Sequence, residues 1–320
     1  MDKEESSIFF STSYYRNKYF TSDDPQIIAE FYSGFKDRNQ LIQWMKDRPK
    51  GVPHIQEIEG SKDIIVVIPT SDFEGKYAKH CREEIFRGMH LIFVESGGPG
   101  DFYFNFSHYL NHGLRNALKY HPKWIVFSSD DMVKIDKPSV LQNLLMNLNE
   151  SEIDMVFTEP SMYHSSREKI SEPNFLFKLY YSILNKDKGR EILRLHKRFN
   201  IKYLMSPTSG LFSRLFKTGY EYLEIQSFAI FSGKWVEKLS GQIYDETFIN
   251  AAEDTDLSLK FSLDPERFTI IDYKIGDLIG TTMGTGVQRG LRSIASLVYL
   301  NYKWADILDK KIIKRGYKEK

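Results

Sequence analysis

The most constraining feature of this chain is a series of short apolar runs that alternate with segments of helical periodicity. The first run, DIIVVIPT at 63–70, is rich in β-branched residues and closes on a proline, as expected of a strand buried on both faces of a parallel sheet. Similar runs follow at 91–96, 124–129, 154–159, 227–232 and 267–273. Helical spacing lies between them at 106–118 and again from Pro138, where Asp136 is the predicted cap. This alternation predicts an α/β fold with a mostly parallel central sheet flanked by helices.

Composition narrows the classes of partner. With 320 residues, 41% of them hydrophobic, the chain has enough apolar surface for a large core. Lys plus Arg number 44 against 43 for Asp plus Glu, so no global positive field favours nucleic acid. Cys81 is the only cysteine, which excludes disulfides within the chain and thiolate-rich metal sites.

The first ten residues, MDKEESSIFF, lack the basic start of a signal peptide, and no apolar run approaches the ~20 residues of a membrane helix. We therefore expect a cytoplasmic protein that does not span a membrane, with peripheral attachment left open. Composition shifts predict an N-terminal helical extension at 1–60, a main domain at 61–280, and a C-terminal loop and amphipathic helix at 281–320. Within the main domain, about 161–225 is predicted to be a basic helical insert.

Two groups of acidic residues are candidates for a ligand-binding, metal-binding or catalytic site. Glu95 and the pair Asp130–Asp131 follow predicted strands, and ligands of parallel sheets bind at the carboxyl ends of strands. Mg²⁺ characteristically uses one or two carboxylates together with substrate phosphates. Alternatively, the Asp pair only caps a turn.

The second acidic group is the EDTD run at 253–256, which follows a glycine turn at Gly241. On a helix, Glu253 and Asp256 would share a face and Asp254 would point elsewhere, so that one acid can aim into a cleft. The alternative is that these are helix N-terminal acids favoured by the macrodipole.

Together the motifs resemble the family 2-type inverting glycosyltransferases of the GT-A fold, over roughly 63–280. DIIVVIPT is similar to the family's opening strand, LIFVES to its second strand, LNHGLRNAL to its R-N-x-G helix and WIVFSSDDM to its metal-binding strand. The most specific match is the block from SGKWVEKLSG to EDTDLSLKF. Two positions depart from the pattern: Ser129 stands where the first acid of Asp-x-Asp is usual, and no histidine follows His196.

The resemblance implies transfer of a sugar from a nucleotide-diphosphate donor to an acceptor hydroxyl with inversion, assisted by Mg²⁺ or Mn²⁺. It makes Asp254 the general base and Asp131 a metal ligand, with Asp277 the nearest substitute for the missing histidine. Contacts to the nucleotide sugar would come from Pro69, Thr70, Glu95, Asn111, Asp130, Glu253 and Arg289. The acceptor would be a glycan, a protein or a lipid-linked sugar.

Several alternatives stay open. The stretch 280–290 is a plain loop or closes over the diphosphate. The insert carries twelve basic and four acidic residues over 164–217, a balance of 12 − 4 = +8, and its 174–199 part is either a membrane contact or a solvated lid. Rival functions are a nucleotidyltransferase on a related fold and a non-catalytic sugar-nucleotide-binding protein.

Overall fold

The strand predicted at 63–70 organises the molecule. The computed structural model describes Tyr19, Ser22 and residues 24–96, 105–158, 167–184, 186–225, 227–263, 267–278 and 286–316. In it, β2 (Ser61–Thr70) pairs in parallel with β3 (Met89–Glu95) on one side and with β4 (Trp124–Ser128) on the other. These strands confirm three of the predicted runs.

Seven strands form the central sheet, in the order β1-β3-β2-β4-β10-β6-β11. Its remaining members are β1 (His54–Ile58), β6 (Met155–Thr158), β10 (Phe228–Ser232) and β11 (Phe268–Ile271). β6 and β11 are parallel, whereas β1 is antiparallel to β3, and β10 is antiparallel to both β4 and β6. The fold is therefore α/β with a mostly parallel, mixed central sheet flanked by helices, compatible with a Rossmann-like architecture.

Helices cover both faces of this sheet. Successive side chains of β2 point to opposite faces, and both sets are mostly apolar and buried. Ile65 and Val67 belong to a core cluster with the helix at Phe106–Ala117, while Val66 belongs to the cluster on the other face. The described α-helices are α1 (Pro25–Glu30), α2 (Arg38–Asp47), α3 (Lys76–His80), α4 (Phe106–Ala117), α5 (Pro138–Met146), α6 (Phe175–Leu184), α7 (Lys186–Arg198), α8 (Gly210–Ser213), α9 (Gly233–Lys238), α10 (Glu253–Leu263), α11 (Gly286–Arg292) and α12 (Ile294–Gly316). Shorter turns are a π-helical Cys81–Ile85 after α3 and 3₁₀ segments at Phe31–Gly34 and Leu118–Tyr120. No helix among the described residues is both long and apolar enough to cross a membrane.

The two ends of the chain share a third core. Phe31 and Trp44 from the N-terminal helices lie in one apolar cluster with Leu300 and Trp304 of α12. The Tyr32 hydroxyl donates a 2.6 Å hydrogen bond to the carbonyl of Leu291. The N-terminal and C-terminal segments, predicted as two separate extensions, thus pack against each other.

Three local predictions differ from the structure. The segment before residue 60, predicted to be helical, ends in β1, a short edge strand whose sequence HIQEI has little apolar periodicity. The insert holds the helices α6 and α7, and also a three-stranded antiparallel sheet of β7 (Arg167–Ser171), β8 (Leu204–Pro207) and β9 (Tyr220–Leu223) in the order β8-β7-β9. Asp136 does not cap α5; its carboxylate accepts the backbone N–H of Lys274 at 2.7 Å, because a small sheet of β5 (Met132–Lys134) and β12 (Ile275–Asp277) brings that segment alongside.

Candidate functional site

The carboxyl ends of β2, β3 and β4 meet at one edge of the sheet, as predicted. The Thr70 hydroxyl donates a 2.7 Å hydrogen bond to Oδ2 of Asp130. Glu95, opposite Thr70 in the parallel register, accepts the backbone N–H of Phe73 at 3.0 Å through Oε1. Three of the predicted nucleotide-contacting residues therefore stand side by side, and Pro69 precedes them within β2.

Asp130 has an altered protonation equilibrium. Burial raises its pKa to about 6, the hydrogen bond from Thr70 opposes the rise, and the charge of Asp131 adds to it. Burial and the two aspartates also raise the pKa of the Cys81 thiol, whose sulfur lies 3.2 Å from the Asp130 carbonyl oxygen. Since the charge of Asp131 disfavours ionisation of Asp130, a divalent cation beside this pair of carboxylates would be stabilising.

The predicted metal residues converge along the backbone. β12 pairs with β5 so that Asp277 stands opposite Met132, the residue after Asp131. The N–H of Leu278 donates a 3.0 Å hydrogen bond to the Asp131 carbonyl. The Asp277 side chain is outside the described part of the chain. Among the described residues, no group of three or more His, Cys, Asp or Glu side chains is arranged to hold a metal ion.

The second acidic group lies at the start of α10. Two residues just before it, Asn250 and Ala252, have left-handed backbones with φ of 49° and 63°. Non-glycine residues rarely adopt this region, and such local strain is often found at functional sites. The turn sets the direction in which Glu253 and Asp254 enter the helix.

Asp254 is surrounded by other acidic groups. The Thr255 hydroxyl lies 3.5 Å from both Oδ1 of Asp254 and Oε1 of Glu224. Burial, followed by the charge of Asp254, raises the pKa of Glu253 to about 8 and raises that of Glu224 well above its ordinary value. Tyr244 has its pKa raised by the same two causes. Burial and the charge of Asp254 thus both favour the protonated forms of Glu253 and Glu224.

This cluster contains buried polar atoms without partners. Among the described residues, Oε2 of Glu253 and the hydroxyl of Tyr244 make no hydrogen bond, whereas Tyr222 and Glu224 interact with each other. Glu253 is only 8% exposed. Buried polar groups are nearly always satisfied, so unsatisfied atoms concentrated in one place indicate a position where a polar ligand belongs.

The antiparallel strand β10 connects the two acidic groups. The start of β10, Phe228, pairs with Ser128 at the end of β4, and the Ser129 N–H donates a 2.8 Å hydrogen bond to the Ser227 carbonyl. Just before this point, the Ile225 N–H donates to the Ser258 hydroxyl of α10 at 2.8 Å. The middle of α10, at Ser258, is thereby linked to the segment that precedes β10 near the end of β4.

Two of the predicted nucleotide-contacting residues, Asn111 and Arg289, lie on helices and not at the strand ends. Asn111 is fully buried in α4, where its amide nitrogen donates to the Tyr244 carbonyl at 2.8 Å and its oxygen accepts the N–H groups of Ile243 and Tyr244, each at 3.1 Å. A direct contact between Asn111 and a nucleotide would break these bonds, so the structure makes it a positioning residue for the loop before α10. Arg289 is exposed on α11. Burial and the charge of Asp254 raise the pKa of Glu253, and the positive charge of Arg289 opposes this rise.

The acids of the EDTD run also separate differently from the sequence interpretation. Glu253 belongs to the cluster around Asp254. Asp256 is buried on the side that faces α12, where it contacts Lys303 and Trp304. Glu224, Tyr222 and Tyr244 could not be predicted as site residues, because nothing in their local sequence pattern indicates that they are buried beside Asp254.

Comparison with models of known protein families finds no match to this chain. A search of curated proteins also finds none.

Proposed function

We propose that this protein is a glycosyltransferase of the GT-A type that transfers a sugar from a nucleotide-diphosphate donor to an acceptor hydroxyl with inversion. The observations that carry the proposal are the Thr70–Asp130–Asp131 group at the carboxyl ends of the strands and the acidic cluster around Asp254 in α10, a helix that Ser258 links to the segment before β10. This arrangement supports separate roles in donor binding and in base catalysis. It agrees with the motif resemblance over 63–280.

In this proposal the residues at the strand ends bind the sugar donor. Glu95 and Asp130 lie where a nucleoside and its diphosphate would approach the sheet, and Asp130 is oriented by the Thr70 hydroxyl. Mg²⁺ or Mn²⁺ held by Asp131, with Asp277 as a second candidate ligand, would neutralise the charge of the leaving diphosphate. Ser129 in place of the usual first acid leaves much of the coordination to the donor phosphates.

In this proposal Asp254 is the general base. Its carboxylate would accept the proton of the acceptor hydroxyl while that oxygen attacks the anomeric carbon and the bond to the diphosphate oxygen breaks. With its pKa raised, Glu253 beside it would donate a hydrogen bond to the sugar or to Asp254 itself. The buried Oε2 of Glu253, which has no partner, is consistent with a site completed by the sugar hydroxyls.

The proposal is tested by two measurements on the same set of variants. Calorimetric titration of UDP, GDP and dTDP, with and without Mn²⁺, measures nucleotide binding to the wild type, Asp131→Ala and Asp254→Asn. Hydrolysis of the matching nucleotide sugars measures turnover. Asp63→Asn is the matched control, since Asp63 is a half-exposed acid near the start of β2, at the opposite end of that strand from Thr70.

We expect Mn²⁺-dependent binding of one nucleotide, lost in Asp131→Ala and kept in Asp254→Asn and in the control. Donor turnover should fall by ~10²-fold or more in Asp254→Asn, as is typical when a positioned base is removed. Normal turnover in Asp254→Asn would show that Asp254 is not the base. If no nucleotide binds under any condition, the proposed function is wrong.

A further inference from the structure

The insert carries a face that is unusual for a water-soluble helix. On α6, the side chains that point outward are Phe175, Leu176, Leu179 and Ile183, with exposures of 73%, 36%, 49% and 60%. The opposite side of the helix is also apolar, since Phe177 is buried and contacts Phe216 with ring centroids 5.4 Å apart. A surface helix normally turns polar residues outward, and a contiguous apolar surface commonly marks an interaction site.

A second helix extends this surface. The short α8 exposes Leu211 at 80% and Phe212 at 43%. Phe212 lies beside Tyr180 of α6, with ring centroids 6.0 Å apart. The Asn174 amide, just before α6, donates a 2.7 Å hydrogen bond to the Arg214 carbonyl, just after α8. These contacts join the two helices into one surface, here called the insert apolar surface and consisting of Phe175, Leu176, Leu179, Ile183, Leu211 and Phe212.

Basic side chains border this surface. Lys178 on α6 and Arg214 after α8 are both exposed. The basic helix α7 packs against α6, where the ring of His196 stacks on Phe177 at 6.2 Å between centroids. α7 itself has six Lys or Arg and two Asp or Glu, a balance of 6 − 2 = +4. The apolar side chains and the positive charges thus occur on the same part of the molecule.

We propose that the insert apolar surface docks onto an anionic lipid bilayer. The apolar side chains would enter the boundary between head groups and acyl chains, and the surrounding Lys and Arg would contact lipid phosphates. The attachment is peripheral, since no described helix is able to span a membrane. The proposal does not depend on the proposed sugar transfer, and its test does not measure transfer.

Charge favours a lipid surface over a second copy of this chain. In a symmetric dimer the same patch of both copies meets itself, so the positive charges of Lys178 and Arg214 from both copies would border one interface without negative partners from the patch. Like charges facing each other across an interface are unfavourable, whereas an anionic bilayer complements them.

The test is co-sedimentation of the full chain with vesicles of pure phosphatidylcholine or of equimolar phosphatidylcholine and phosphatidylglycerol. One variant, Leu179→Ser/Ile183→Ser/Leu211→Ser, removes apolar contacts, and a second, Lys178→Gln/Arg214→Gln, removes charge. Val52→Ser is the matched control, because Val52 is 68% exposed and lies outside the insert. All the changed residues are exposed, and circular dichroism melting checks that each variant folds as the wild type does.

The wild type and the control should sediment with the anionic vesicles and much less with pure phosphatidylcholine. The apolar variant should lose roughly tenfold or more in partitioning, and each charge removed should cost about fivefold, with high salt weakening binding in the same direction. The proposal is overturned if the wild type stays in solution or if the apolar variant partitions like the control. A dimer detected by ultracentrifugation that the apolar variant dissociates, without vesicle binding, would instead assign the surface to a second copy.

Discussion

The helix that carries Asp254 is anchored to the C-terminal helix α12 through one buried carboxylate. Asp256 is 1% exposed. It accepts the indole N–H of Trp304 at 2.7 Å and lies 2.7 Å from Nζ of Lys303, which also contacts Asp245 at 2.8 Å. The substitutions Asp256→Ala and Asp256→Asn should therefore lower the free energy of unfolding.

The expected cost follows from these contacts. Removing one partner of a buried ion pair costs about 3–5 kcal/mol, and a buried N–H left without a partner about 1–3 kcal/mol. Lys303 keeps Asp245 and is partly exposed, which places Asp256→Ala near the lower end, at about 3 kcal/mol. Asp256→Asn keeps an acceptor for the Trp304 indole and loses only the charge, so that about 1–2 kcal/mol is expected.

Urea unfolding followed by tryptophan fluorescence and by circular dichroism measures both variants. Asp306→Asn on the same helix is the control, since Asp306 is exposed and should change the free energy by no more than about 0.5 kcal/mol. The order of stability should be control, Asp256→Asn, then Asp256→Ala. If Asp256→Ala unfolds at the same urea midpoint as the control, the carboxylate does not anchor α10 and the reasoning from these contacts is refuted.

Two further predictions concern the site and its support. The pKa of Glu253 is raised from 4.5 to about 8 by burial and by the charge of Asp254, so the folded protein keeps a proton that the unfolded chain releases. Stability should therefore fall as pH rises between these values, and Glu253→Gln should reduce this fall by at least about 1.4 kcal/mol, the equivalent of one pKa unit, in urea midpoints compared across that range. Gly113→Ala should destabilise the protein by about 1–2 kcal/mol in the same assay, because a Cβ would lie 2.3 Å from Cγ1 of Val67 and 2.6 Å from Cγ2 of Val94. A gain in stability, as alanine gives in exposed helices, would show that α4 has room to move.

The parts of the fold predicted from sequence are those with a strong local pattern. The β-branched run at 63–70 predicts a buried strand from its own residues alone. The apolar spacing around Leu114 and Ala117 likewise defines the buried face of α4. The strands that were missed, β1, β5, β7, β8, β9 and β12, are only three to five residues long, too short for a clear local pattern. They form because a neighbouring strand offers backbone partners, which local sequence does not encode.

The same limit applies to the candidate site. Asp130, Asp131 and Asp254 were identified because they follow a strand or begin a helix, positions that sequence alone can locate. Glu224 was not, because its environment depends on packing against Thr255, which is 31 residues away in the chain. Asn111 was assigned a ligand contact from its motif, whereas its partners in the loop at Tyr244 lie 133 residues further along.

The position of β10 has a consequence for the order in which the molecule is made. In the central sheet the group β1-β3-β2-β4 and the group β6-β11 meet only through β10, which is synthesised after the whole insert. Until Phe228–Ser232 leaves the ribosome, β4 and β6 each present an open edge, the kind of edge that pairs with other chains. The nascent protein therefore passes through a stage of synthesis in which the group β1-β3-β2-β4 and the single strand β6 lack the strand that joins them, and chaperone binding during translation should be strongest there.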